Sequence, residues 1–161
     1  MSMRTKSAEY YLAKIRYEKQ MEDGLQKPVW ESYVLDALSF TEAEQRITEM
    51  MSQYISGDFE VKDLTQCPFK EIFFSDDPAA DKWYKAKLQF ITIDEKTSKE
   101  RRSTVIYLVQ AGSFNGAVKN IDEVMGSTMI DYVIKSVTDT TIYDVFEYQP
   151  KEEQNENNTD E

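Results

Sequence analysis

The side chains of this 161-residue chain that could do chemistry are carboxylates, amines, guanidiniums and phenols, because it has no histidine and one cysteine, Cys67. Without histidine there is no Ser-His-Asp or Cys-His relay and no imidazole metal ligand. A lone cysteine makes neither a thiolate zinc site nor a redox pair. Cys67 precedes Pro68 and has no base to activate it, so it reads as a turn or core thiol. Paired carboxylates could do acid–base work or hold magnesium. The candidates are Asp76–Asp77 and Asp94–Glu95, with Asp58 and Asp131 at matched positions after each expected helix. Turns, caps and wet faces account for such acids more simply. Neither the G-x-G-x-x-G nor the G-x-x-x-x-G-K-[ST] pattern occurs. The expectation is a protein that is not an enzyme and has neither metal nor cofactor.

Cations beside aromatic rings are the second kind of chemistry. If Tyr11 and Tyr84 face a helix layer, strand alternation turns Tyr10, Lys14 and Arg16 away from it, and Trp83, Lys85 and Lys87 likewise. A stacking ring next to cations suits a base and a phosphate, so a small anionic ligand or nucleotide is one expected partner. A solvated sheet face with ordinary lysines is the plainer account. The basic stretch Lys96 to Arg102, with Lys99, Arg101 and Arg102, could meet phosphate or an acidic partner, or simply keep a hairpin tip soluble. The turn Ala111 to Ala117 opens a helix, and helix N-termini attract anions. The matching turn Ala37 to Ala43 carries Glu42, and a tight strand-to-helix connection explains both. Trp30, Val34, Ile106 and Leu108 are apolar positions on the outward faces of strands. They require cover, from another part of the chain or from a second subunit, and a homo-oligomer is the corresponding partner expectation.

The elements that must position these residues are written twice. YLAKIRY from Tyr11 returns as YKAKLQF from Tyr84, and YVLDALSF from Tyr33 as YLVQAGSF from Tyr107. DFEVK from Asp58 returns as DYVIK from Asp131, and FKEIF from Phe69 as IYDVF from Ile142. Four matched blocks in the same order indicate an internal duplication. The division is 1–8 as a flexible N-terminus, 9–74 as the first copy, 75–82 as a linker with Pro78, 83–148 as the second copy and 149–161 as a disordered acidic tail. Each copy reads strand, strand, helix, strand, strand. Tyr11, Ala13, Ile15 and Tyr17 alternate with Tyr10, Leu12, Lys14 and Arg16. Thr41 with Glu44 three residues later suggests a capping box, and Ala43, Ile47, Met50 and Tyr54 form an apolar stripe. The fold class is α+β: two ββαββ units in a mostly antiparallel sheet, with both helices on one face about a pseudo-two-fold axis.

Charge divides the copies. Residues 9–74 carry 13 acids against 7 bases, a net of −6, whereas residues 83–148 carry 9 against 8, a net of −1, within a total of −11. That balance argues against broad nucleic-acid binding, which depends on neutralising phosphates. No apolar run approaches membrane-spanning length and the start has no signal-peptide core, so the expected setting is the cytoplasm, without membrane contact.

The blocks YVLDALSFTEAEQRI, ISGDFEVKD, WYKAKLQFITIDEKTSKERR, YLVQAGSF and DTTIYDVFEY resemble a domain-of-unknown-function family of Bacteroidota bacteria and their phages, over about residues 10–148. The resemblance implies a bacterial or phage cytoplasm and carries over no activity, cofactor or site residue. The resulting expectation is a non-catalytic cytoplasmic binding or assembly protein. The alternative is a small anionic ligand or nucleotide binder, with a sequestering role, acting through the basic sheet face or the 96–102 loop.

Overall fold

A computed structural model describes residues 2–3 and 9–147. The expected flexible start (its residues 1 and 4–8) and the acidic tail lie outside the described residues. After a short strand β1 (Ser2–Met3), the first copy forms the hairpin β2 (Glu9–Gln20) and β3 (Gln26–Ala37), helix α1 (Phe40–Tyr54), β4 (Phe59–Gln66) and β5 (Glu71–Phe74). The second forms β6 (Lys82–Ile93), β7 (Glu100–Ala111), α2 (Phe114–Gly126), β8 (Asp131–Asp139) and β9 (Ile142–Phe146).

The first hairpin turns at Met21–Leu25, where Gly24 takes φ +80 and the Asp23 carboxylate accepts the Leu25 amide. That left-handed conformation is cheap only for glycine. β4 runs antiparallel to β2 on its other side and β8 does the same to β6. The two ladders carry a register shift at the same place, between Lys14 and Ile15 and between Lys87 and Leu88, which are matched positions of the repeat. Strand alternation then delivers Tyr11, Ala13, Ile15, Tyr33, Leu35 and Ala37 to one face, where Ala43, Ile47 and Met51 of α1 cover them. In the second copy Tyr84, Ala86, Leu88, Tyr107 and Val109 meet Ala117, Ile121 and Met125 of α2.

Helix α1 is capped two residues earlier than the capping pattern suggested. Ser39, with extended φ −151, is the N-cap and its hydroxyl accepts the Glu42 amide at 3.1 Å, while Glu42 reaches back to the Leu38 amide at 3.2 Å. This is a reciprocal cap built on Ser39 and Glu42 rather than on Thr41 and Glu44. Ser113 caps α2 through the Gly116 amide alone, since glycine has no side chain to reach back.

The last strand of each copy leaves home. β5 pairs in parallel with β7, placing Glu71, Ile72 and Phe73 opposite Tyr107, Leu108 and Val109. β9 pairs in parallel with β3, placing Asp144, Val145 and Phe146 opposite Tyr33, Val34 and Leu35. These are equivalent registers, so the copies exchange equivalent strands. The result is two sheets, β1-β5-β7-β6-β8 and β4-β2-β3-β9.

The sheets meet through the faces their helices leave bare. Tyr10, Val34 and Val145 from one sheet pack with Ile72, Trp83 and Leu108 from the other, and Cys67 and Phe69 close the crossing between β4 and β5. Backbone bonds from the Cys67 amide to Tyr10 and from the Lys70 amide to Ile106 stitch that crossing to both sheets. The α+β class and the predominance of antiparallel pairing hold. The placement of both helices on one face is corrected: each covers the outer face of its own sheet, giving four layers. The reason is the strand exchange, which makes two facing sheets where a single one was expected. The linker lies over the turn into α2, and a Cβ on Gly112 would stand 2.8 Å from the Ala79 carbonyl oxygen. That close approach requires glycine at 112, where the first copy has Leu38.

Candidate functional site

The sequence-derived candidates separate once they are placed. Trp83 is 3% exposed and sits between the sheets, so its expected place as an open stacking wall is corrected. Alternation put it on the right face, but the other sheet covers that face. Val34 and Leu108 are fully buried in the same layer with Ile106 at its margin, so their cover comes from within the chain. Trp30 lies beyond the overlap and is 60% exposed. It stands opposite Arg16, whose guanidinium is 4.0 Å from Glu18, and Glu60 of β4 faces Arg16 from the other side. Lys14 is exposed with Asp63 opposite it on β4. The cations of the first sheet are thus interleaved with acids.

Lys85 and Lys87 are exposed on the second sheet, opposite Thr138 and Ser136, with no ion pair among the described residues. In the 96–102 loop, Arg101 lies 3.8 Å from Asp94 and Arg102 lies 3.2 Å from Glu100, while Lys99 is exposed. The loop therefore spends much of its charge on its own acids. The acid pairs sit in turns, where Asp77 accepts the Ala79 amide and Asp94 the Lys96 amide. Burial pushes the Cys67 thiol up to about 12, which leaves it an inert core thiol. Among the described residues, no three Cys, Asp or Glu side chains group closely enough to hold a metal ion.

A different cluster emerges where β9 joins the first sheet. Glu31 occupies a helix-facing position on β3, where the second copy has Val105. Its carboxylate accepts the Tyr17 hydroxyl at 2.9 Å and the Tyr33 hydroxyl as well. Tyr33 stacks on Phe146 at 5.3 Å and meets Tyr143 edge-on at 5.6 Å, both rings brought by β9. Tyr54, from the end of α1, also stacks on Phe146, at 6.1 Å. Burial, and then the bond to Glu31, pushes the Tyr17 hydroxyl up to about 12 and raises Tyr33 further. Both phenols therefore remain protonated donors at neutral pH, and Glu31 serves as their common acceptor.

The matching place in the second copy is filled differently. Phe73 and Phe90 pack on Tyr107 at 4.8 and 6.3 Å, and the Lys70 ammonium rests 5.3 Å over the Phe90 ring. Phe90 corresponds to Tyr17 and Lys70 to Tyr143 in the repeat. Glu71 beside them has one buried carboxylate oxygen with no hydrogen-bond partner, and burial raises its carboxyl above the ordinary value against the pull of Lys70. Burial and the charge of Glu71 push the Tyr107 hydroxyl up to about 12.

The family model for the domain of unknown function DUF4494 matches residues 9–148, both copies and the linker together. The chain belongs to that family. No curated protein and no solved structure matches it. In this family member the Glu31 cluster went unnoticed in the sequence, although a signal was there: Glu31 is a charged residue at an apolar-periodic position, two before Tyr33, and its counterpart in the repeat is valine.

Proposed function

We propose that this protein is a non-catalytic binding protein whose binding surface lies on the first sheet. The observation that carries the reading is the uneven distribution of exposed aromatic rings. Trp30, Phe40, Tyr54 and Tyr143 all belong to the first sheet and its helix and are at least half exposed, whereas Phe114 is the one exposed aromatic of the second sheet and its helix among the described residues. Exposed aromatics supply large, rigid contact area at low entropic cost and are favoured in recognition surfaces. The chemistry available also supports it, since no histidine is present and the cysteine is buried. The setting proposed is a bacterial or phage-infected cytoplasm. No described helix is long and apolar enough to cross a membrane.

Thermal-shift screening of the full chain against anionic and cationic small molecules tests the reading, together with its solution mass at high micromolar concentration. Tight binding must raise the melting temperature by mass action. A shift lost on Trp30→Ala or Tyr143→Ala is expected. A strict monomer that responds to no compound would sink it. A second reading, an anionic ligand on Lys85 and Lys87, draws on their exposure and on the absence of a facing acid on β8. A nucleotide-induced shift removed by Lys85→Ala would favour it.

A further inference from the structure

We propose that the tyrosine–carboxylate cluster of the first sheet is a site for an organic ammonium ion, either a small amine or a lysine side chain; this rests on the binding-protein reading and names its ligand. Three observations carry it. The first is composition: a half-buried carboxylate, Glu31, accepts the hydroxyls of Tyr17 and Tyr33, and Tyr143 and Phe146 pack on the Tyr33 ring. A carboxylate has about four acceptor positions, so two phenol donors leave it able to take an N–H donor or to stand as a counter-ion. Ring faces attract cations, and aromatic cages with an acid are the chemistry that recognises alkylated ammonium groups.

The second is access. Tyr143 is 66% exposed and Tyr54 72%, so the outer rings present open surface. Tyr17 also lines a groove of about 380 Å³ between the end of β2 and the start of β4. Glu18, Asp58 and Glu60 line that groove with Phe59 as its second aromatic wall; Arg16 pairs with Glu18 and Lys62 with Glu60, which leaves an excess of one acid. Its field therefore favours a cation, in the copy that holds most of the chain's negative charge.

The third observation is independent of the site itself. In the second copy the chain's own Lys70 ammonium lies over Phe90, the counterpart of Tyr17. At the position of Lys70 the first copy has Tyr143. The fold thus shows an ammonium seated on this ring where the chain supplies one, and an additional ring where it does not.

Calorimetric and thermal-shift titration of the full chain tests the proposal, with choline and spermidine as small amines and Nα-acetyl-trimethyllysine amide as the lysine form. Sodium chloride at matched ionic strength and AMP serve as controls. Saturable binding of at least one ammonium probe is expected, and the tighter of the two arms identifies the source. Tyr143→Ala, at an exposed position, should weaken it at least tenfold, and Glu31→Gln should do the same. Tyr143→Lys should abolish it by supplying the ammonium in cis, as Lys70 does. Lys85→Ala should leave it unchanged. If AMP binds and no ammonium does, the cation site is overturned while the binding-protein reading stands; if neither binds, the cation site falls, and the binding-protein reading falls with it when the chain is also a strict monomer that responds to no other compound. Ammonium binding that survives both Tyr143→Ala and Tyr143→Lys overturns the assignment to this cluster.

Discussion

The two copies of the repeat share a scaffold and differ in what they leave open. Ala13 and Ala86 lie fully buried beneath equivalent helices, the ladders shift register at equivalent residues, and β5 and β9 dock in equivalent registers. Where β5 docks, Phe73 is fully buried and the polar groups nearby are a lysine seated on the Phe90 ring and an acid with one unsatisfied buried oxygen. Where β9 docks, Phe146 is half-buried among tyrosines and a hydrogen-bonded acid, with two rings open to solvent. Sheet edges differ too, since β1 pairs with the outer side of β5 and no described strand does so for β9. The two repeats thus share a core plan and differ at the surface.

The sharpest break of that comparison is between the two tryptophans. Trp83→Ala empties a site between the sheets and should cost about 3–5 kcal/mol in urea unfolding, whereas Trp30→Ala should stay within about 0.5 kcal/mol. Near-equal losses would mean that the inter-sheet layer is not the centre of the molecule. The exchanged strands come next. Phe73→Ala should cost about 3–4 kcal/mol and Phe146→Ala about 1–2 kcal/mol, because the second ring is already partly hydrated. If Phe146→Ala costs as much, β9 is held as firmly as β5.

The turn glycines give a smaller contrast. Gly112→Ala forces a methyl against the Ala79 carbonyl and should cost about 1–3 kcal/mol, whereas Gly126→Ala, with nothing within 4 Å, should gain a few tenths, about 0.5 kcal/mol. Matched melting temperatures for the two variants would remove the packed linker from the account.

The smallest expected effect is electrostatic. Burial raises the Glu71 carboxyl in the folded chain above its ordinary value of 4.5, so the folded state holds that proton more tightly than the unfolded one. The stability this contributes is complete below the ordinary value and is lost as pH rises through the folded value. Glu71→Gln should therefore match the parent well below pH 4.5 and exceed it in stability near neutrality. Equal stability at both pH values would show that the Glu71 oxygen is well solvated.

Much of the scaffold was legible because it is periodic. Alternation of Tyr11, Ala13 and Ile15 identified a strand with one buried face, and the stripe Ala43, Ile47 identified a helix above it. The N-cap was misplaced by two residues because Ser39 and Thr41 are both competent caps. Backbone direction decides between them, and only Ser39 is extended. Trp30 and Trp83 were both assigned to outward faces, correctly, yet one is open and the other enclosed. Alternation says which residues share a face and nothing about what covers it. The Glu31 cluster was missed for a related reason: its rings come from β2, β3, α1 and β9, and the sequence gives no hint that β9 docks on β3.

By itself the sequence determined the repeated pattern, the order and type of the elements, the identity of the core-facing residues and the absence of histidine chemistry. These follow from local rules, the periods of helix and strand and the inventory of side chains. Only the tertiary structure decided that the last strands change places, that two sheets pack face to face and that Tyr143 stands beside Tyr33 and Glu31. Strands of four and five residues carry too little local preference to choose a partner. Their choice is made by burying Ile72, Phe73 and Val145 in layers that exist only once both copies have folded together.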